Sequence, residues 1–218
     1  MSPIKAIAAA AVVLTAAQAH AVSFTVSEGA FSTVEGVVTD TFDPDATISL
    51  NVSGGALFPV AGVIGVSARP AGSEGQWWSI GSSAIHATPG VVQLYNPSTY
   101  YGFLWGSPDG YNSVSFLYQG TVVGSFTGTD VFPSANGNQG ALVGGQYVNF
   151  WAGEGEQFDE VRFVSNYDAF ETDNHAVFPP PRIDIEVVQV PVPEPETYAL
   201  MLAGLCAIGF MARNRRRD

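Results

Sequence analysis

From Val22 to about residue 190 the apolar positions come in short runs, each closed by Gly, Pro, Asn, Asp or Ser. Helical spacing of three and four is scarce, and alternation with period two is common. Residues 33–38, 47–52, 60–66, 91–95, 100–105, 147–151, 158–165, 175–178 and 183–188 read as strands. The clearest hairpin joins 113–118 to 121–126 through Gln119-Gly120, with Val114, Phe116 and Tyr118 on one face. Gly120 supplies the positive φ that a two-residue turn needs. Many short strands with a turn signal every 8–12 residues predict an all-β fold, an antiparallel β-sandwich of jelly-roll or lectin-like type.

The two ends depart from this pattern. Residues 1–21 hold one charge, Lys5, then an Ala-rich apolar run and the small-x-small triplet Ala19-His20-Ala21. They read as a secretory signal peptide, a short apolar helix recognised by the Sec machinery and cut by signal peptidase. Residues 191–218 open with Pro193-Glu194-Pro195, continue as an apolar stretch from Tyr198 to Ala212, and finish on Arg213, Arg215, Arg216 and Arg217. The stretch of fifteen residues would span about 22 Å as a helix, short of the roughly 30 Å hydrocarbon layer. Snorkelling arginines and a thinned bilayer would let it act as a transmembrane helix. The arginines are expected on the cytoplasmic side, which leaves the domain of residues 22–190 in the periplasm on a transient inner-membrane anchor.

Charge sharpens the expectation. Between Val22 and Pro193 there are three basic residues, Arg69, Arg162 and Arg182, against seventeen Asp and Glu, a formal charge of −14. Such a surface repels nucleic acid and anionic lipid, and no nucleic-acid partner is expected. The single cysteine, Cys206, lies in the C-terminal apolar stretch, so no intrachain disulfide can form. The exported domain must therefore be held by its apolar core.

The order of proline-stiffened tripeptide, short apolar helix and arginine cluster resembles the PEP-CTERM sorting signal of Gram-negative surface proteins. The resemblance covers about 26 residues. It implies recognition by an exosortase, a membrane cysteine transpeptidase, and cleavage near the motif. It also implies a final place on the cell surface or in the medium, among bacteria that make extracellular polysaccharide and biofilm matrix. Residues 100–178 resemble a group of exosortase-dependent surface proteins through YGFLWGSPDGYN at 101–112, FTGTD at 126–130, YVNF at 147–150, Phe158-Asp159 and AFETDN at 169–174. In lectin-like sandwiches a pattern such as Phe170-Glu171-x-Asp173-Asn174 marks a strand pair crossing to the opposite sheet.

No catalytic motif with specific spacing is present: no Gly-x-Ser-x-Gly elbow, no His-Glu-x-x-His, no Walker loop. The expectation is a non-enzymatic surface or matrix protein. Asp159, Glu160, Glu171 and Asp173 keep a two-carboxylate glycan-processing enzyme as an alternative. A self-associating structural matrix protein is the third class, and an exposed sheet edge would mark it. No cofactor is indicated beyond a structural Ca²⁺, for which Asp43, Asp45, Glu171 and Asp173 offer oxygen ligands. The aromatics suggest carbohydrate contact, because rings pack on sugar CH faces while acids and amides bind hydroxyls. The candidate set is Trp77, Trp78, Tyr101, Trp105, Asp109, Tyr111 and Asn112. Core packing suits the same residue types. Trp77 and Trp78 must point to opposite faces if extended, so one of them is expected at the surface.

Overall fold

A computed structural model describes residues 22–59, 62, 63, 65–138 and 145–179, and in the C-terminal segment 200–203, 205, 206, 208 and 213. The signal peptide, the strand expected at 183–188 and Pro193-Glu194-Pro195 lie outside the described residues. The chain divides into two units, Met1–Pro180 and Pro181–Asp218. In the second, the described residues from Leu200 to Arg213 are helical. Among the described residues no helix is long and apolar enough to cross a membrane.

The first unit carries twelve strands and one short helix among its described residues. They are β1 (Ser23–Glu28), β2 (Val38–Asp40), β3 (Asn51–Ser53), β4 (Ala56–Phe58), β5 (Trp77–Ile80), β6 (Gly90–Ser98), β7 (Tyr100–Trp105), β8 (Asn112–Tyr118), β9 (Thr121–Thr127), α1 (Gly128–Val131), β10 (Gln146–Trp151), β11 (Phe158–Ser165) and β12 (Phe170–Val177). One sheet runs β1-β10-β7-β12-β5-β4 with β2 also paired to β12; the other runs β3-β6-β11-β8-β9. All pairings between named strands are antiparallel. The expected sandwich is therefore present.

The hairpin forms as the pattern requires. Gln119 and Gly120 both take positive φ, 49° and 78°, the mark of a type I′ turn. Val114 and Phe116 are buried between the sheets. β11 lies in the five-stranded sheet and β12 in the seven-stranded one, so the chain crosses between sheets just before Phe170-Glu171.

Five strand expectations need correction. Of residues 33–38 only Val38 is strand, as the start of β2, because Glu35-Gly36 forms a turn with Gly36 at φ 80°. Of residues 47–52 only Asn51 and Val52 are strand, in β3, and the Leu50 amide donates to Asp40 Oδ2 instead of to a neighbouring strand. Among the described residues of 60–66 an isolated bridge, Val63–Ser67, stands in place of the expected strand: Gly65 turns the chain at φ 75°, and Gly62 lets it return close to the Ser67 carbonyl. Trp77–Ile80, set in a loop by its Gly-rich approach, is β5 in the middle of a sheet. β12 begins at Phe170, five residues ahead of the expected strand at 175–178. Polar Glu171, Thr172, Asp173 and Asn174 obscure it, and each is buried.

The main core lies between the sheets and is largely aromatic. Phe103 packs flat on Phe150 at 5.8 Å between ring centres, and Trp105 on Phe170 at 4.6 Å. The seven-stranded sheet is covered on its outer face as well. Ala30, Val34 and Val37 pack there on Tyr100, Leu104, Tyr147 and Ala176. Segment 67–76 covers the adjoining part: Ser67 accepts the Trp77 indole N–H, and Ser73 binds Asp173.

Candidate functional site

The cover over the outer face stops short at one end of the seven-stranded sheet and leaves an open groove of about 730 Å³. Four pieces of chain line it. Residues 62–69 come from the β4–β5 connection, and Ser107, Asp109 and Tyr111 from the β7–β8 loop. Asn136 and Gly137 follow α1, and Asp168, Ala169 and Glu171 come from the crossover into β12.

Glycine permits the close approach of β12 and the β7–β8 loop. A Cβ at Gly106 would stand 2.9 Å from Cβ of Glu171, and the Gly106 amide donates to the Glu171 carbonyl at 2.9 Å. That contact sets the loop so that the Ser107 hydroxyl donates to Glu171 Oε2 at 2.6 Å, while the Ala68 amide donates to Oε1 at 2.9 Å. Burial raises the Glu171 pKa, the two hydrogen bonds oppose that, and Asp109 adds to it.

Asp168 is fixed differently. The amides of Ser82 and Ser83 donate to Oδ1 at 2.8 and 3.1 Å, and Nε2 of buried His86 lies 2.9 Å from the same oxygen. The His86 contact is close but lacks the direction of a good hydrogen bond, since Nε2 has no partner of acceptable angle; the proximity is better read as electrostatic. Burial works to raise the Asp168 pKa, yet His86 and the two amides outweigh it and hold the carboxyl below its ordinary value. All these contacts fall on Oδ1, and among the described residues Oδ2 has no hydrogen bond.

Tyr111 supplies the aromatic wall. Its ring meets Tyr167 edge-on at 5.2 Å, and Tyr167 is 64% exposed. Burial and the neighbouring Asp109 carboxylate raise the Tyr111 pKa far above ordinary pH, so the hydroxyl stays neutral. Arg69 is exposed on the rim and makes no ion pair among the described residues.

Of the seven residues chosen for carbohydrate contact, two line the groove, Asp109 and Tyr111. The rest are corrected by burial. Trp77, Tyr101, Trp105 and Asn112 have no exposed surface, and Trp78 retains 1%. Trp77 and Trp78 do point to opposite faces, but both faces are covered. Trp77 stacks on Phe58 at 5.9 Å under the 67–76 cover, and Trp78 meets Phe163 in the main core. Tyr101 is hydrogen-bonded to His175 Nδ1, and Asn112 accepts the Ser165 hydroxyl.

The four carboxylates named for calcium have protein partners or stand apart. Asp43 accepts the Gln76 amide, and Asp45 is exposed in a turn. Glu171 holds Ala68 and Ser107, and Asp173 holds Ser73 and the Asn174 amide. Among the described residues no group of three or more His, Cys, Asp or Glu is placed to share a metal ion. The other acids considered for catalysis have local partners: Asp159 accepts the Gln119 amide, and Glu160 pairs with Arg162.

Sequence reasoning missed Arg69, Ser107 and Asp168 as groove residues. The signal for Asp168 was the short polar run Asn166-Tyr167-Asp168 between apolar strands, where a turn presents side chains outward.

Fold and groove together define a β-sandwich domain with an acidic cleft lined in part by Tyr111. The PEP-CTERM protein-sorting motif matches residues 191–217. The chain thus carries the tag of an exosortase-targeted protein, exported and sorted to the cell surface. No curated protein and no solved structure matches the chain.

Proposed function

We propose that this is a surface or matrix protein that holds extracellular polysaccharide in the groove of its β-sandwich. The observation that carries the reading is the convergence of Tyr111, Asp109, Asp168 and Glu171 on one open cleft. Rings offer apolar faces to sugar CH groups, and carboxylates accept hydroxyl donors. A cleft of this volume falls within the range of ligand sites. The domain reaches this place through Sec, loses residues 1–21 to signal peptidase, and pauses on a C-terminal membrane anchor until exosortase releases it. The protein acts by binding, without turnover, in a biofilm matrix.

Co-sedimentation with the host's own extracellular polysaccharide tests this, with calcium or with chelator present. The intact protein should bind saturably, and Tyr111→Ala should weaken binding about tenfold, roughly the 1–1.5 kcal/mol of one aromatic contact. Loss of binding in chelator would place calcium in the complex. Equal binding by the folded variant would remove the groove from the function.

A second reading, a glycan-processing enzyme, is favoured by one observation: Glu171, its pKa raised by burial, lines the same cleft as Asp109 and Asp168. New reducing ends released from the polysaccharide, abolished in Glu171→Gln, would establish it in place of simple binding.

A further inference from the structure

The chemistry of the groove also bears on which polysaccharide it would hold. Three carboxylates line it, Asp109, Asp168 and Glu171, against the single guanidinium of Arg69. The residues between Val22 and Pro193 carry a formal charge of −14, so the field outside the groove has the same sign. A uronic-acid or sulfated glycan entering this cleft would set like charges against one another. A neutral glycan would leave Oδ2 of Asp168, which takes no hydrogen bond among the described residues, to hydroxyl donors alone. An ammonium group offers three donors and a charge, and suits that oxygen better. Tyr111 in the groove lining adds to the preference, because a tyrosine ring attracts cations as well as CH groups.

Resting on the glycan-binding reading above, we propose that the groove selects polysaccharides that carry free, protonated amino groups, such as a de-N-acetylated amino-sugar polymer. Acetylation removes both the charge and two of the three donors, while the ring faces offered to Tyr111 stay the same. The distinction between the two forms is therefore a test of ammonium recognition, charge and donors together, and the salt dependence reads the charge.

The test is calorimetric titration of the intact protein in detergent with tetramers of glucosamine, N-acetylglucosamine and galacturonate, at low salt and at about 0.3 M salt. The glucosamine tetramer should bind roughly tenfold tighter than the acetylated one, with the advantage reduced by salt, and the galacturonate tetramer weakest. Asp109→Asn and Asp168→Asn should each bring glucosamine binding down toward that of the acetylated tetramer. Glu154→Gln, an exposed acid in a turn away from the groove, should leave it unchanged. Asp168 also anchors Ser82 and Ser83, so Asp109→Asn is the variant that separates charge from local folding. Equal binding of acetylated and free-amine tetramers would overturn the charge selectivity and leave the glycan-binding reading standing. An equal loss in Glu154→Gln would also overturn it, by showing diffuse attraction to an acidic protein. Binding of none of the three would remove both readings together.

Discussion

The two sheets of the sandwich obey different rules. In the five-stranded sheet, β8 and β11 alternate between buried and half-exposed positions, with Ser115–Ser125 and Glu160–Arg162 pairs on the open face. In the seven-stranded sheet, β5, β7 and β12 are buried at every position. An antiparallel sheet needs only one covered face. Here segments 30–37 and 67–76 add a third layer, and the groove lies where that layer ends. The lesson is that alternation describes a sheet only while one face meets water. Once both are covered, polar residues appear inside, and each needs a partner within the protein.

The largest effect should separate the two outer faces. Trp77→Ala removes a ring stacked on Phe58 beneath the cover and should cost about 3–5 kcal/mol of stability in denaturant unfolding. Tyr95→Ala, on β6 of the open sheet and 81% exposed, should change stability by no more than about 0.5 kcal/mol. Similar losses at the two sites would show that the cover contributes little and that the sheets do not differ in this way.

A pH dependence follows from the polar residues buried in β12. Burial pushes the Asp173 carboxyl up to about 7; its bonds from Ser73 and the Asn174 amide oppose this, and Asp43 and Asp40 add to it. Burial also lowers His175 to about 3. Between about pH 4 and 7 the folded state keeps a proton on Asp173 that the unfolded chain has lost, so this group's contribution to stability falls as pH rises. His175 has the opposite sign: below about pH 6.5 the unfolded chain takes a proton that the folded state refuses, so stability falls with acid. The two slopes oppose each other from about pH 4 to 6.5. Asp173→Asn mimics the protonated acid and removes one of them. The variant should gain on the wild type by about 1.4 kcal/mol per pH unit between about pH 4 and 7, and level off above. A difference that stays flat with pH would mean that Asp173 is ionised in the fold.

Next in size is the tie between cover and sheet. Ser73→Ala deprives Asp173 of a hydrogen bond of 2.6 Å and should cost about 1–3 kcal/mol. Amide exchange should quicken along residues 67–76 while the β8–β9 hairpin stays protected. Uniform loss of protection would place the cover inside the cooperative core.

How far these features could be read from the chain follows the same division. The hairpin, β7, β11 and the crossing ahead of Phe170 were legible, because local alternation and turn chemistry set them. The exposure of Trp77, Trp78, Tyr101 and Trp105 was not, because a third layer is a tertiary fact with no period of its own. Tyr111 and Asp109 were recoverable as loop residues beside Pro108 and Gly110; Arg69 and Asp168 depend on loops distant in sequence meeting at one sheet end. The sorting tag was the most legible feature, since its three parts are read in order along a short stretch of chain.

The smallest expected effect lies in the open sheet, where local rules hold best. Gln119 sits at φ 49°, a conformation that asparagine tolerates better than other side chains with a Cβ. Its amide donates to Asp159, and that backbone bond survives substitution. Gln119→Asn creates the Asn-Gly pair that type I′ turns favour, and should add roughly 0.5 kcal/mol to stability. The same residue swap has no such site in the covered sheet, where Asn174 already occupies the positive-φ position of the β12 bulge and binds the Ala30 carbonyl. Asn174→Gln should therefore destabilise by more than Gln119→Asn stabilises. If unfolding midpoints showed the hairpin change neutral and the bulge change harmless, local backbone preference would not distinguish the two sheets, and their contrast would rest on burial alone.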